Sequence, residues 1–160
     1  GPLPPKEIEP DGFIGPKQFA PRINGRQYYK NCYICGDIDF IFGSATAYFE
    51  NCVIESLCHT TNVNDIQGYI TAASTPESQE YGYVFSNCKL ISKNCPPNSV
   101  YLGRPWRNYA KTVFLECALG NHIHECGFHD WKRMHEIRFC TQNIEITPHP
   151  AQTQHPITVP

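Results

Sequence analysis

An aspartate stands inside one of the most apolar segments of the chain, GDIDFIFG at residues 36–43. Burying the Asp39 carboxylate among isoleucines and phenylalanines costs free energy unless a cation or a hydrogen-bond donor compensates. The best candidate for that cation is Arg104, which lies between a glycine and a proline in YLGRPW at 101–106. An arginine can hold a carboxylate through two parallel hydrogen bonds and keep it ionised. The sequence therefore predicts that Asp39 and Arg104 form a pair.

Aromatic side chains accompany both charged residues. Phe42 follows Asp39 within the same apolar run, and Trp106 closes the segment that contains Arg104. Flat apolar faces of this kind can stack on sugar rings. A carboxylate, an arginine and two aromatic platforms in one groove favour carbohydrate chemistry, although strand alternation would equally allow Phe42 to be a core residue.

The other titratable residues do not suggest a metal or cofactor site. Asp37 is interpreted as structural or solvent-facing rather than catalytic. Cys32 and Cys35 have C-x-x-C spacing, but no second ligand pair follows, so a structural role is favoured. Four histidines in the C-terminal third fit no ligand set and are expected on loops and at the surface: His122, His124, His129 and His135. No metal and no cofactor are therefore expected.

Composition excludes several classes of partner. The chain has 160 residues, of which 41% are hydrophobic and 18% charged, and these values are typical of a globular domain. Its net charge of -2 argues against nucleic acid or an anionic membrane as the main partner. No apolar run approaches the roughly 20 residues of a membrane span, and no signal peptide is expected within this chain. A monomer is expected.

One phrase recurs around four of the nine cysteines. It reads aromatic, any residue, Asn or Glu, Cys, any residue, aliphatic, in YYKNCYI (28–34), YFENCVI (48–54), VFSNCKL (84–90) and VFLECAL (113–119). The alternation within each copy has a period of two, which is typical of strands. Strand repeats of this length without a helical period indicate stacked coils.

The fold class predicted from this repeat is all-β, a right-handed parallel β-helix, with a β-sandwich as the alternative. The repeated cysteines would be unoxidised apolar fillers in an interior ladder, and the Asn or Glu before each would face outward or end a turn. The domain prediction is an irregular or divergent segment at 1–24, the β-helix at 25–140 and a Pro-rich irregular tail at 141–160.

Three segments, GDIDFIFG, GYITAAST (68–75) and YLGRPW, are similar to signature segments of the pectin methylesterases. The sequence resembles this family from about residue 24 to about residue 131, in detail most like its bacterial members. The resemblance implies a right-handed parallel β-helix, secretion to the extracellular space or cell wall, and hydrolysis of methyl esters of polygalacturonate (pectin) without a metal or cofactor.

Residue by residue, the resemblance implies that Asp39 is the nucleophile and that Arg104 orients it. Phe42 and Trp106 match aromatic substrate contacts of the family. The family's general acid/base, however, is the aspartate of a Gln-Asp-Thr phrase, and that position is Gln18 here. An amide cannot donate and retrieve a proton as a carboxyl group can.

Family domains are also close to twice this length, so the first coils of the solenoid are expected to be missing. Two functional hypotheses follow: a pectinesterase, and a catalytically impaired β-helix that only binds pectin. A lyase or glycosidase on the same architecture is a weaker third hypothesis, because no acidic cluster for a calcium ion accompanies Arg104.

Overall fold

The computed structural model describes residues 25–59, 62–130 and 137–146, together with the backbone of two short strands at 6–7 and 13–14. Within these residues there are strands and turns but no helix. The strands are β1 Lys6–Glu7, β2 Phe13–Ile14, β3 Arg26–Lys30, β4 Tyr33–Gly36, β5 Ile38–Gly43, β6 Thr46–Glu50, β7 Val53–Ser56, β8 Gly68–Ala73, β9 Tyr83–Ser86, β10 Lys89–Ile91, β11 Val100–Gly103, β12 Lys111–Leu115, β13 Ala118–Leu119, β14 Arg138–Gln142 and β15 Glu145–Ile146.

The strands form three sheets, and the chain visits them in turn. The first sheet has the order β1-β3-β6-β9-β12-β14, the second β15-β13-β10-β7-β4-β2, and the third β11-β8-β5. Every pairing given by these orders is parallel, for example Tyr48↔Val84 in the first sheet and Val53↔Lys89 in the second. Each strand pairs with its counterparts in the neighbouring coils, and this arrangement is a parallel β-helix. It is right-handed, because crossovers between parallel strands are right-handed. The fold prediction is confirmed, and the alternative of an antiparallel β-sandwich is wrong.

The repeated phrase builds the interior of the first sheet. Its aromatic position faces inward, where Phe49, Phe85 and Phe114 are fully buried. Their rings stack in one column, with centroids 4.3 Å apart from Phe49 to Phe85 and again from Phe85 to Phe114. Equivalent residues of successive coils lie one strand spacing apart, so a residue type repeated in the sequence becomes a continuous stack in the fold.

The polar residue of the phrase turns the chain out of the first sheet. Five residues at this corner have a left-handed backbone, with φ between 52° and 54°: Asn31, Asn51, Asn87, Glu116 and Asn143. We call this set the corner column. Its members bond to the next coil through their backbone, as in Asn51 N to the Ser86 carbonyl at 2.9 Å, and through the Asn51 Nδ2 to Asn31 Oδ1 bond of 2.7 Å. Asparagine is favoured here because its short polar side chain tolerates this conformation.

A cysteine follows four of the five corner residues and turns inward. These four are buried and reduced, namely Cys32, Cys52, Cys88 and Cys117. Three of these thiols donate weak bonds to a carbonyl of the preceding coil, for example Cys117 Sγ to the Phe85 carbonyl at 3.5 Å. The prediction that these cysteines are unoxidised interior fillers is confirmed.

Three features of the structure differ from the sequence analysis. Strands β14 and β15 extend to Ile146, beyond the boundary expected at residue 140. TQNIEI is a fifth copy of the phrase, with Thr141 in the aromatic position and Ile144 in the cysteine position. Residues 147–160 lie outside the described ranges. His122 is fully buried rather than at the surface, and Cys58 and Cys95 form a disulfide that the spacing had not indicated.

Candidate active site

Asp39 lies on a β-bulge of the third sheet. Strand β5 pairs with β8 at Ile38↔Tyr69 and again at Ile41↔Thr71, so β5 contains one extra residue between the two pairs. Asp39 takes a left-handed backbone with φ of 50° at this point. A bulge re-aims the side chain of the extra residue, and such bulges are frequent beside active sites. The local alternation of the strand is therefore broken at the acid.

Arg104 follows β11, which packs closely against β8. A Cβ atom on Gly103 would lie 2.0 Å from Thr71 Oγ1, so only glycine allows this approach. The same Thr71 hydroxyl donates to the Leu102 carbonyl at 3.0 Å, and the Arg104 N–H donates to the Thr71 carbonyl at 3.0 Å. The middle strand thus determines where the arginine leaves the sheet.

The two charged side chains meet in a bidentate contact. Arg104 Nε donates to Asp39 Oδ1 at 3.1 Å, and Nη2 donates to Oδ2 at 2.7 Å. Burial opposes the charge of the guanidinium, but its hydrogen bond with Asp39 and the attraction of that carboxylate outweigh it and raise the pKa of Arg104. The Asp39 side chain keeps 27% of its surface exposed. The carboxylate is therefore held in a fixed orientation and still open to a substrate.

Two aromatic side chains lie at the same end of the third sheet. The rings of Phe42 and Trp106 are 5.9 Å apart at an interplanar angle of 65°. The Trp106 N–H donates to the Ala73 carbonyl at 2.9 Å, and Phe42 pairs in register with Ala72. Trp106 is partly exposed and Phe42 is half-buried, so both can present an aromatic surface to a ligand. The geometry brings together all four residues selected from the sequence.

Sequence analysis missed an aromatic row beside this pair. The Arg104 guanidinium carbon lies 3.9 Å from the centre of the Tyr69 ring. Tyr69 stacks on Tyr101 with centroids 5.5 Å apart, and Tyr101 stacks on His124 at 4.3 Å. Tyr69 and Tyr101 are paired in register, each second in its strand. Aligning GYITA with VYLG as neighbouring coils would have placed them side by side.

Asp37 has a separate set of partners. Its Oδ1 accepts from the Ile38 N–H at 2.8 Å, and its Oδ2 lies 3.0 Å from His59 Nε2. Burial alone would raise the pKa of Asp37, but the hydrogen bonds from Ile38 and His59 outweigh it and lower that pKa. These two contacts favour a structural role for Asp37.

The expectations about a metal ion, a membrane partner and the acid/base residue stay predictions. Within the described ranges, no group of three or more His, Cys, Asp or Glu side chains could hold a metal ion. The same part of the chain contains no helix that is long and apolar enough to cross a membrane. Gln18, at the position of the expected acid/base, lies outside the described residues.

Comparisons with known proteins agree with the geometry. The family model described as pectinesterase matches residues 22–142. "Pectinesterase 31" of Arabidopsis thaliana is 42% identical over 120 residues, which cover 74% of this chain and 35% of that protein. The crystal structure of the pectin methylesterase from Aspergillus niger matches with a TM-score of 0.67 and 31% identity over 78% of this chain and 40% of that chain.

A second solved structure is a pectin methylesterase in complex with a hexasaccharide, with a TM-score of 0.66 and 29% identity over 83% of this chain and 45% of that chain. The chain thus spans about a third of the length of the curated relative and less than half of these two solved structures. The expected likeness to bacterial members in particular stays a prediction.

Proposed function

Because the chain belongs to the pectinesterase family, we propose that it hydrolyses the methyl esters of polygalacturonate to free carboxylates and methanol. The observation that carries this proposal is the bidentate contact between Arg104 and Asp39 on a partly exposed bulge. It provides an oriented and partly exposed carboxylate, as nucleophilic catalysis on an ester requires.

In the proposed reaction Asp39 is the nucleophile. One of its oxygens forms a bond to the ester carbonyl carbon, and the bond from that carbon to the methoxy oxygen breaks. The methoxy group takes up a proton from solvent and leaves as methanol, and an acyl-enzyme remains. Water then attacks the acyl carbon, the Asp39 oxygen leaves as carboxylate, and the free uronate is released with two protons, one of which replaces the proton that the methoxy group took up.

Arg104 and the two aromatic residues would hold the reactants. The two hydrogen bonds of Arg104 orient the Asp39 carboxylate, which supplies part of the rate by alignment alone. Phe42 and Trp106 would contact the sugar rings on either side of the reacting ester. The relative that carries a hexasaccharide supports a polymeric substrate of this size.

The second candidate function is pectin binding without turnover. It is favoured by Gln18, because an amide at the acid/base position cannot protonate the leaving methoxy group. Asp37 could take the acid's place only by giving up its contact with His59. Both functions would use the same residues, so the test must measure turnover and binding separately.

The test is methanol release from highly methylated pectin, beside sedimentation or calorimetric binding to the same polymer. We expect the chain to release methanol and Asp39→Asn to reduce the rate by at least about 10⁴-fold, as removal of a nucleophile does. Asp37→Asn is expected to leave the rate unchanged. Binding without methanol would support the second function, and unsaturated or shortened products would point to a lyase or glycosidase instead.

Secretion to the extracellular space or cell wall is part of the proposal. The Cys58–Cys95 disulfide supports it, because disulfides persist in oxidising compartments. Thiol titration of the unfolded protein is expected to detect two more thiols after reduction than before. The expectations of a monomer, and of no nucleic-acid or membrane partner, can be tested by ultracentrifugation and binding assays on the same sample.

A further inference from the structure

The arginine of the candidate site must cross a strand to reach its acid. Arg104 follows β11 and Asp39 lies on β5, and β8 runs between these two strands. Neighbouring strands are about 4.8 Å apart, so the two outer strands are separated by about 10 Å. The guanidinium therefore lies above β8 when it contacts Asp39.

Tyr69 is the residue of β8 that lies beneath the crossing side chain. The guanidinium carbon is 3.9 Å from the ring centre, which is the distance of a close stacking contact. The face of an aromatic ring carries negative charge and attracts the cation, and the ring also excludes water from that side of the guanidinium. Asp39 thus holds the edge of the guanidinium while Tyr69 holds its face.

The Tyr69 ring is itself held in place. Tyr101 stacks against it with an interplanar angle of 8°, and His129 meets it edge-on with centroids 6.1 Å apart. His129 also meets Tyr101 edge-on at 5.2 Å, and His124 stacks on the far side of Tyr101. With Tyr101 and His129 in place, the Tyr69 ring cannot tilt away from the arginine without disturbing two other contacts.

We propose that Tyr69 is a positioning residue for the Asp39–Arg104 pair: its ring fixes the plane of the guanidinium so that both hydrogen bonds to Asp39 form at once. Its effect on turnover rests on the proposed esterase function. Its effect on the arginine does not, because it follows from the geometry of this sheet alone.

The first readout is the environment of Arg104, measured by NMR on the isotope-labelled chain. Protons above an aromatic face are shifted upfield by the ring current, whereas the hydrogen bond to Asp39 shifts Arg104 Hε downfield. The readout is therefore the ring-current shift of Arg104, taken as the difference in its resonances between wild type and each Tyr69 variant. Tyr69→Leu should abolish that shift, and Tyr69→Phe should retain it. An Arg104 resonance that is the same in wild type and Tyr69→Leu would overturn the proposal, whether or not the chain turns over.

The second readout is methanol release. We expect Tyr69→Leu to lower kcat between about tenfold and a hundredfold, since small misplacements of a reacting group have effects of this size, and to change KM less than about threefold. In Tyr69→Phe, kcat should fall by less than about threefold. Equal losses in the two variants would show that the hydroxyl, and not the ring, matters, and would contradict the proposal.

A substitution that preserves shape separates positioning from packing. Replacing Tyr69 by pentafluorophenylalanine keeps the ring but reverses the charge on its face. We expect this replacement to lower kcat and to change the Arg104 resonance, as Tyr69→Leu does, while the chain remains folded. A rate equal to that of Tyr69→Phe would overturn the proposal. Tyr48→Leu is the matched control, because Tyr48 is an exposed tyrosine on the outer face of the first sheet and should affect neither readout.

Discussion

In two regions of the solenoid, the corner column and the third sheet, a left-handed backbone has different consequences. In the corner column the conformation recurs in every described coil from Asn31 to Asn143, and each time it leads the chain from the first sheet toward the second. In the third sheet it occurs at Asp39, within a strand, where it inserts an extra residue and turns a carboxylate toward Arg104. The same dihedral angle thus serves the fold in one place and the candidate site in the other.

The two regions also differ in how widely their stabilising contacts are spread. The corner column and the phenylalanine stack beneath the first sheet are repetitive, so their stabilising energy is spread over many similar contacts. The bulge at Asp39 has no counterpart in β8 or β11, and its contacts reach across the sheet to single residues. We therefore expect substitutions in the repetitive region to change stability and substitutions at the bulge to change chemistry.

The largest effect should come from Phe85→Ala. Phe85 is fully buried between Phe49 and Phe114, and truncation leaves a cavity in the middle of the stack. The free energy of unfolding should fall by about 3–5 kcal/mol in urea titrations, while methanol release per folded molecule stays the same. Val84→Ala, on the outer face of the same strand, is the control. A loss below about 1 kcal/mol in Phe85→Ala would contradict the importance of the stack.

Arg104→Lys should separate charge from geometry at the site. Lysine keeps the positive charge but cannot form two parallel hydrogen bonds with Asp39. We expect the rate of methanol release to fall about 100-fold, equivalent to about 2.7 kcal/mol, with little change in the free energy of unfolding. Arg138→Lys, at an exposed position of the first sheet, is the control. A rate within threefold of wild type would mean that any cation suffices.

Asn51→Ala should have a moderate effect confined to stability. Alanine pays a penalty of about 1–2 kcal/mol in the left-handed conformation that Asn51 adopts. Asn51→Gly is the matched comparison, since glycine accepts this φ and loses only the bond to Asn31. The free energy of unfolding, measured by chemical denaturation, should therefore be highest for wild type, lower for Asn51→Gly and lowest for Asn51→Ala. The reverse order of the two variants would mean that the side-chain ladder, and not the backbone angle, stabilises the corner.

The smallest effect concerns pH and the second sheet. Burial raises the pKa of Glu55 and the charge of Lys93 opposes it only in part, so Glu55 binds a proton more tightly in the folded chain than in the unfolded chain. The contribution of Glu55 to the free energy of unfolding is fully present below the unfolded pKa of about 4.3. It is lost as pH rises through the higher pKa of the folded chain. Unfolding experiments from pH 4 to 8 measure how the free energy of unfolding depends on pH. Glu55→Gln should weaken that dependence, whereas Glu145→Gln, at an exposed position, should not. The same pH dependence in wild type and both variants would refute this prediction.

Sequence reasoning succeeded where a pattern is local or repeated. The period-two phrase around Cys32, Cys52, Cys88 and Cys117 predicted the strands, the inward cysteines and the stacking of coils. The same phrase in the last coil was missed because Ile144 replaces the cysteine, which is why strands β14 and β15 fell inside the expected tail. The contact between Asp39 and Arg104 was predicted because a buried acid in an apolar strand needs a cation, and the chain offers one arginine in a constrained turn.

By itself, the sequence determined that the repeated phrase forms strands of stacked coils with its cysteines inward, and that the acid in GDIDFIFG requires a partner. Only the tertiary structure decided the bulge that aims Asp39, the Tyr69 ring under Arg104, the burial of His122 and the pairing of Cys58 with Cys95. The reason is physical: side-chain periodicity is a property of consecutive residues, whereas these features depend on the register between coils whose residues are 30 or more positions apart. That register follows from the packing of the whole solenoid and is not written in any one segment.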